Sequence, residues 1–334
     1  MISAYSGTPL LTQANICKVR NKGKFYLDFL YQWCSFLWKI VCSFALEIVS
    51  RFVCLANWEF GFIRDRGVFG NILFGIMGRK RYLFFDIDGT LLAGSYQNPY
   101  VPESTKEALR ILRNNGNFTC IATSRPQAMA LELMEELGFE NMVSDGGYGI
   151  TVGRQLLEIR PLDKGKVIRL IHECRQKDIP WSIQVDNSNV RLCPDGRFDE
   201  VTGDRFMKPR IVDGLEPEDY PQIFKVLVAC YPPVEYSLES LNGLPWCRYD
   251  KEYLFVEATD KAWGIRRIME HFGADCSDVI VFGDAYNDMS MFSDQWTNVA
   301  MGNAVPELKA RADLVTSDVD KDGIYNACVT LGLI

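Results

Sequence analysis

The chain has 334 residues with 48% hydrophobic and 24% charged content, which suits a globular protein large enough for an α/β domain with an insert. Its net charge of −7 carries no signature of non-specific nucleic-acid binding. Eleven cysteines without a Cys-x-x-Cys pair argue against a zinc site or a disulfide framework and for reduced thiols in a cytoplasmic protein, and with only His172 and His271 present the chemistry falls to carboxylates.

Residues 1–79 read as a hydrophobic, basic extension. The first 80 residues hold ten Lys/Arg against four Asp/Glu, a net of +6 that leaves −13 for the remainder. Over 25–56 the polar residues Asp28, Gln32, Ser35, Lys39, Ser43, Glu47 and Ser50 recur every three or four positions, a narrow stripe on an otherwise apolar helix. No uncharged run reaches the roughly 18–20 residues of a spanning helix. No small-residue cleavage site marks a secretory signal. Three readings stand: peripheral membrane contact through 25–56 aided by Lys18, Arg20, Lys22 and Lys24; packing on a partner or on the main domain; or a chain that starts at Met77 and enters its first strand at once. The late start is the preferred one.

From residue 80 the pattern changes. The apolar run 82–85 predicts a buried parallel strand, and 102–114 a helix stopped by Asn115-Gly116. Residues 118–122 predict a second strand and 126–137 a second helix. Strand and helix in alternation indicate βαβ units. The stretch 153–256 has mixed α+β character, with strands expected at 181–185 and 190–193, a helix at 217–227, and strands at 234–238 and 246–249. A helix over 262–272, a strand over 279–282, and short elements at 299–300, 306–310 and 314–316 complete the sheet. The fold class is therefore α/β: a Rossmann-like parallel-sheet core from 80–152 and 257–334, interrupted by an α+β insert over 153–256.

Four strand-end segments carry the chemistry. Phe84-Phe85-Asp86-Ile87-Asp88-Gly89-Thr90 puts two carboxylates where a parallel sheet binds ligands. One carboxylate can accept a phosphoryl group while the other moves the leaving-group proton. Both would repel a phosphate, so a divalent cation is required, and Mg²⁺ suits oxygen ligands. The same Asp-x-Asp-Gly also occurs in plain turns and calcium loops. Thr123-Ser124-Arg125-Pro126 offers hydroxyls and free backbone N–H groups for phosphate oxygens, or merely a helix cap. Lys261 offers one balancing ammonium, or a solvated helix-start lysine. Gly283-Asp284-Ala285-Tyr286-Asn287-Asp288 can complete a metal site and grip a phosphate oxygen, or form an Asx-rich turn. In this order and together, they supply the parts of a phosphoryl-transfer site.

These motifs resemble those of the haloacid dehalogenase superfamily of phosphohydrolases, most closely Cof-type members of subfamily IIB with a type-2B cap. The resemblance covers about 80–334 and includes the stretch from Val299 to Ala304 and Asp322-Gly323-Ile324. It implies Asp86 as nucleophile, Asp88 as acid/base, Thr123 as the second-motif hydroxyl, and Lys261 as the third-motif lysine, while Asn287 falls on the family asparagine. It implies Mg²⁺ on the Asp86 carboxylate, the Asp88 carbonyl and Asp284, with Asp288 standing behind the ion. Ser124 replaces the usual Gly, and Asp145-Gly146-Gly147 the usual Asn-Gly-Ala, both beside the site. The expected activity is Mg²⁺-dependent hydrolysis of a small phosphorylated metabolite, such as a sugar phosphate. A phosphomutase of the same superfamily and a non-catalytic phosphometabolite sensor are the alternatives.

Overall fold

A computed structural model describes residues 79–95 and 97–334. The readings for the N-terminal segment, membrane contact through 25–56 and a start at Met77 among them, lie outside the described residues. Among the described residues no helix is long and apolar enough to cross a membrane.

The chain enters a large sheet through β1 (Tyr82–Phe85), every residue of which is buried. A small hairpin of β2 (Ala93–Ser95) and β3 (Asn98–Tyr100) follows. Next come α1 (Glu103–Asn114), β4 (Phe118–Ala122), α2 (Gln127–Glu136) and β5 (Met142–Ser144). β6 (Gly149–Val152) and β7 (Gln155–Ile159) extend the same sheet as an antiparallel ribbon, so the sheet takes in residues that the sequence reading put with the insert.

The insert contributes α3 (Lys164–Gln176), β8 (Trp181–Gln184), β9 (Val190–Cys193), α4 (Arg197–Thr202), β10 (Lys208–Ile211), β11 (Lys225–Ala229), β12 (Trp246–Asp250) and β13 (Tyr253–Val256). The chain then returns to the large sheet with α5 (Lys261–Phe272), β14 (Val279–Gly283), β15 (Thr297–Ala300), α6 (Pro306–Lys309), β16 (Leu314–Val315) and α7 (Gly323–Thr330).

The large sheet has the order β16-β15-β14-β1-β4-β5-β6-β7 and is parallel from β16 to β5. Its order reverses at β1, with β4 on one side and β14 on the other. Such a switch point opens a crevice at the carboxyl ends of the strands. Side chains alternate across the sheet. Leu83 and Phe85 pack in a cluster with Leu109 and Leu112 of α1 and Ile324 of α7. Tyr82 and Phe84 pack in another with Ile265 and Ile268 of α5. Helices cover both faces, which explains why these strands read as unbroken apolar runs. Each such side chain, fully buried, contributes roughly 1.5–3 kcal/mol.

The insert forms a separate six-stranded mixed sheet, order β10-β9-β8-β11-β13-β12, with its own core under α3. The α/β class is as expected, but two segments of the insert differ from the sequence reading. Residues 217–227 form a single 3₁₀ turn at Pro217–Asp219 and then enter β11 instead of continuing as a helix. Pro221 lacks the N–H a helix needs there, and Lys-Val-Leu-Val-Ala is buried throughout at the middle of the sheet, where β-branched residues fit. Residues 234–238 form a 3₁₀ turn at Val234–Ser237, not a strand, because Val234 and Tyr236 bond back to Tyr231 and Pro233.

Candidate active site

The crevice at the ends of β1, β4 and β14 collects the polar residues. Asp86 follows β1 directly, and its N–H donates to the Phe282 carbonyl of β14. The chain then turns tightly, with the Leu91 and Leu92 N–H groups both reaching the Ile87 carbonyl. Gly89 takes φ +82 in this turn, and a Cβ on it would lie 2.1 Å from Asp284 Oδ2. Only glycine permits both the backbone angle and the close approach of Asp284.

Lys261, the first residue of α5, reaches across to the acids. Its Nζ lies 2.6 Å from Asp86 Oδ1 and 2.6 Å from Asp288 Oδ1. Asp86 is 2% exposed, Lys261 1% and Asp288 0%, so Lys261 is no solvated helix-start lysine. Burial pulls its pKa down, but the Asp288 and Asp86 carboxylates outweigh burial and hold it above the ordinary lysine value. The loop Asp145-Gly146-Gly147 fixes the start of α5, since the Asp260 N–H donates to the Gly146 carbonyl. The Lys261 N–H donates to Ser290 Oγ.

Asp288 Oδ2 accepts the N–H groups of Asp284 and Ala285, so both of its oxygens are engaged. Asp284 is steadied by Thr90 Oγ1, which donates to its Oδ1 at 3.2 Å, and by Asn303 Nδ2 at 3.4 Å from its Oδ2. Burial, and then the Asp288 carboxylate, push the Asp284 carboxyl up to about 7. Burial and the Asp288 carboxylate likewise raise Asp86 well above the usual range, against the pull of Lys261.

Ligand oxygens of Asp86, Asp284 and Asp288 lie within 4.8 Å of one another. Three crowded carboxylates face one ammonium, an imbalance that a divalent cation with a taste for hard oxygen donors would correct. The donor set therefore fits a divalent metal, and these acids could hold one.

The second strand end behaves differently from the expectation of free helix N–H groups. The N–H of Gln127 is taken by Asp145 Oδ2 and that of Ala128 by Asn187 Oδ1. Neither Thr123 nor Ser124 caps α2, whose N-cap, Pro126, makes no side-chain bond. Thr123 Oγ1 instead accepts the Arg125 N–H, which leaves its own hydrogen for a ligand. Ser124 Oγ lies 3.4 Å from Asn287 Nδ2.

The structure thus brings Asp86, Lys261, Asp284 and Asp288 into one cluster and sets Ser124 against Asn287, with Thr123 one strand over from Asp86. Asp88 stands apart from that cluster, its carboxylate paired with Arg125 at 2.6 Å. Thr90, Arg125 and Asn303 escaped the sequence reading. Arg125 directly follows the hydroxyl pair and Asn303 sits in a loop after β15, positions that strand-end logic could have flagged. Two cavities flank the loop at 123–125. One, of about 460 Å³, is lined by Asp88, Gly94, Arg125, Met129 and Phe206. The other, of about 560 Å³, is lined by Ser124, Trp246, Arg248, Tyr286, Asn287 and Met289.

Comparison with known proteins agrees with this geometry. The family model of haloacid dehalogenase-like hydrolases matches residues 83–328. YkrA of Bacillus subtilis (strain 168) is 30% identical over 269 residues, 76% of this chain and 99% of its own length. The pyridoxal phosphate phosphatase YbhA of Escherichia coli (strain K12) is 26% identical over 270 residues, 73% of this chain and 96% of its own. Among solved structures, the subclass IIB sugar phosphatase BT4131 superposes with a TM-score of 0.64 at 28% identity, over 76% of this chain and 100% of that one.

Proposed function

The chain belongs to the haloacid dehalogenase-like hydrolases and is a phosphoric monoester hydrolase of subclass IIB for small phosphorylated metabolites, and on that premise we propose that it turns over through an aspartyl-phosphate on Asp86 with Mg²⁺ as cofactor. The observation that carries this is the buried Lys261 held between Asp86 and Asp288 beside the unbalanced Asp284. Asp86 Oδ1 is occupied by Lys261, so Oδ2 attacks phosphorus. As that O–P bond forms, the bond to the leaving oxygen breaks and Asp88, protonated once it has left Arg125, gives its proton to that oxygen. Asp88 then takes a proton from water, which attacks the phosphorus and frees Asp86. When bound, Mg²⁺ supplies the positive charge that lets a phosphate approach these acids, and Asp86, Asp284 and the Asp88 carbonyl would hold it. Asp288 orients Lys261 and the Asp284 turn. Thr123, Ser124, Asn287 and Lys261 grip the phosphate oxygens.

Sugar phosphates and related metabolites fit the cavity beside Asp88, because the acid must reach the leaving oxygen. We take 80–152 and 257–334 as the catalytic core, with β7 appended, and the rest of 153–256 as the cap that selects substrate. We take the setting to be cytoplasmic, since eleven cysteines scattered along the chain without a Cys-x-x-Cys pair suit reduced thiols.

The test is free-phosphate release from a panel of phosphomonoesters with and without Mg²⁺. Metal-dependent release is expected. Isomerised sugar phosphate without free phosphate would mark a mutase, and silence across the panel would remove catalysis altogether.

A further inference from the structure

Lys225 is a lysine in the central strand of the insert sheet, yet it is 1% exposed. Its ammonium forms a close ion pair with Glu257, itself 5% exposed, and donates at 3.0 Å to the main-chain carbonyl of Ser124. Burying an ammonium there is costly, and a hydrophobic pair of similar volume would serve stability as well or better. Its direction of reach points to another use.

Three consecutive carbonyls, those of Thr123, Ser124 and Arg125, each have a donor. Thr123 O accepts the Gly146 N–H at 3.2 Å and Arg125 O accepts the Asp145 N–H at 2.9 Å. Among the described residues the middle one is held by Lys225, which belongs to the insert. These bonds fix the backbone of the loop that carries the Thr123 hydroxyl. The insert grips the same unit once more: Asn187, in the turn between β8 and β9, accepts the Ala128 N–H at 3.1 Å and donates to Gln127 Oε1 at 2.9 Å.

We propose that Lys225, seconded by Asn187, is a positioning residue by which the cap domain sets the geometry of the phosphate-binding loop. The cap then does more than choose the leaving group, because the phosphate grip itself depends on how the cap is seated. This rests on the reading that the loop at 123–125 holds the transferring phosphate.

Two variants separate positioning from stability, since both break the ion pair but only one breaks the contact with Ser124. Glu257→Gln keeps the Lys225 bond to Ser124. Lys225→Met/Glu257→Leu removes it together with both charges of the pair, at some cost to the buried Asp145 carboxyl that Lys225 also supports. The readouts are the inhibition constant of inorganic phosphate, KM and kcat with 4-nitrophenyl phosphate, and the melting temperature, all on the full chain with Mg²⁺. Glu257→Gln should hold phosphate within about twofold of wild type whatever its melting temperature. The double variant should bind phosphate about tenfold more weakly, the cost of one charge-assisted hydrogen bond, with KM raised in step. Equal phosphate affinity in a folded double variant would overturn the proposal. Should the double variant not fold, Asn187→Ala at the exposed second tie decides, with roughly threefold weakening expected from one neutral hydrogen bond and no change contradicting it. Thr123→Ala guards the premise: if it leaves phosphate affinity untouched, the loop does not hold phosphate, which is a failure of the site reading and not of Lys225.

Discussion

Asp88 and Arg125 meet side by side, with Arg125 Nη2 2.6 Å from one carboxylate oxygen of Asp88 and Nε 3.0 Å from the other. A guanidinium in this bidentate geometry is also shaped for a phosphate. An incoming phosphomonoester is expected to compete for Arg125, and its arrival to free Asp88 to take up the proton that it gives to the leaving oxygen. Arg125→Met is expected to raise KM about tenfold, the loss of one good charged contact, with a smaller effect on kcat. Steady-state kinetics with an unchanged KM would detach Arg125 from the phosphate.

Asp88 itself is expected to govern both halves of the reaction. In Asp88→Asn with 4-nitrophenyl phosphate, whose leaving group needs little protonation, one equivalent of nitrophenol should appear in a burst. Turnover should then stall at about 10²- to 10⁴-fold below wild type. Rapid-quench kinetics with neither a burst nor a slowed steady state would remove Asp88 from the mechanism.

For Lys261→Met two losses are expected together. The buried Asp86 and Asp288 carboxylates lose their shared ammonium, so the metal-free melting temperature falls. Activity falls by about 10²- to 10³-fold, as for a removed electrostatic stabiliser. Added Mg²⁺ should recover part of the melting temperature and little of the activity. Full recovery of activity would make Lys261 a structural residue only.

The pH dependence follows from Asp284, pushed up to about 7 by burial and by Asp288. In the unfolded chain its carboxyl returns to roughly 4. Between those values the native state binds more protons than the unfolded one, so this group makes the metal-free protein less stable as pH rises from about 4 to about 7. A cation displaces that proton. Thermal melts should therefore show a larger Mg²⁺-induced stabilisation at pH 8 than at pH 5. An equal shift at both would mean that Asp284 does not exchange its proton for metal.

How much of this was legible in the sequence depends on how each residue gets its neighbours. Asp86 was readable because a four-residue apolar strand ends at it, and burial of that strand fixes where the next side chain goes. Lys261 was readable only in company, since a lone helix-start lysine is ordinarily solvated; what buries it is the pair of acids brought from the ends of β1 and β14. Arg125, Thr90 and Asn303 acquire their partners through contacts 37, 194 and 214 residues away, which no local pattern encodes. Lys225 was invisible for the same reason. The helix expected at 217–227 failed because the apolar residues at its end, Val226 and Leu227, fit a buried strand equally well, and strand pairing with β8 and β13 decided it.

The proposed reaction turns on a covalent phosphoryl group on Asp86. Its most direct test is acid quenching during turnover of a ³²P-labelled phosphomonoester, followed by peptide mapping. Acid-stable label is expected on the peptide that contains Asp86 and absent from Asp86→Asn, which should still fold. Turnover with no label on the protein, or label on another residue, would contradict it.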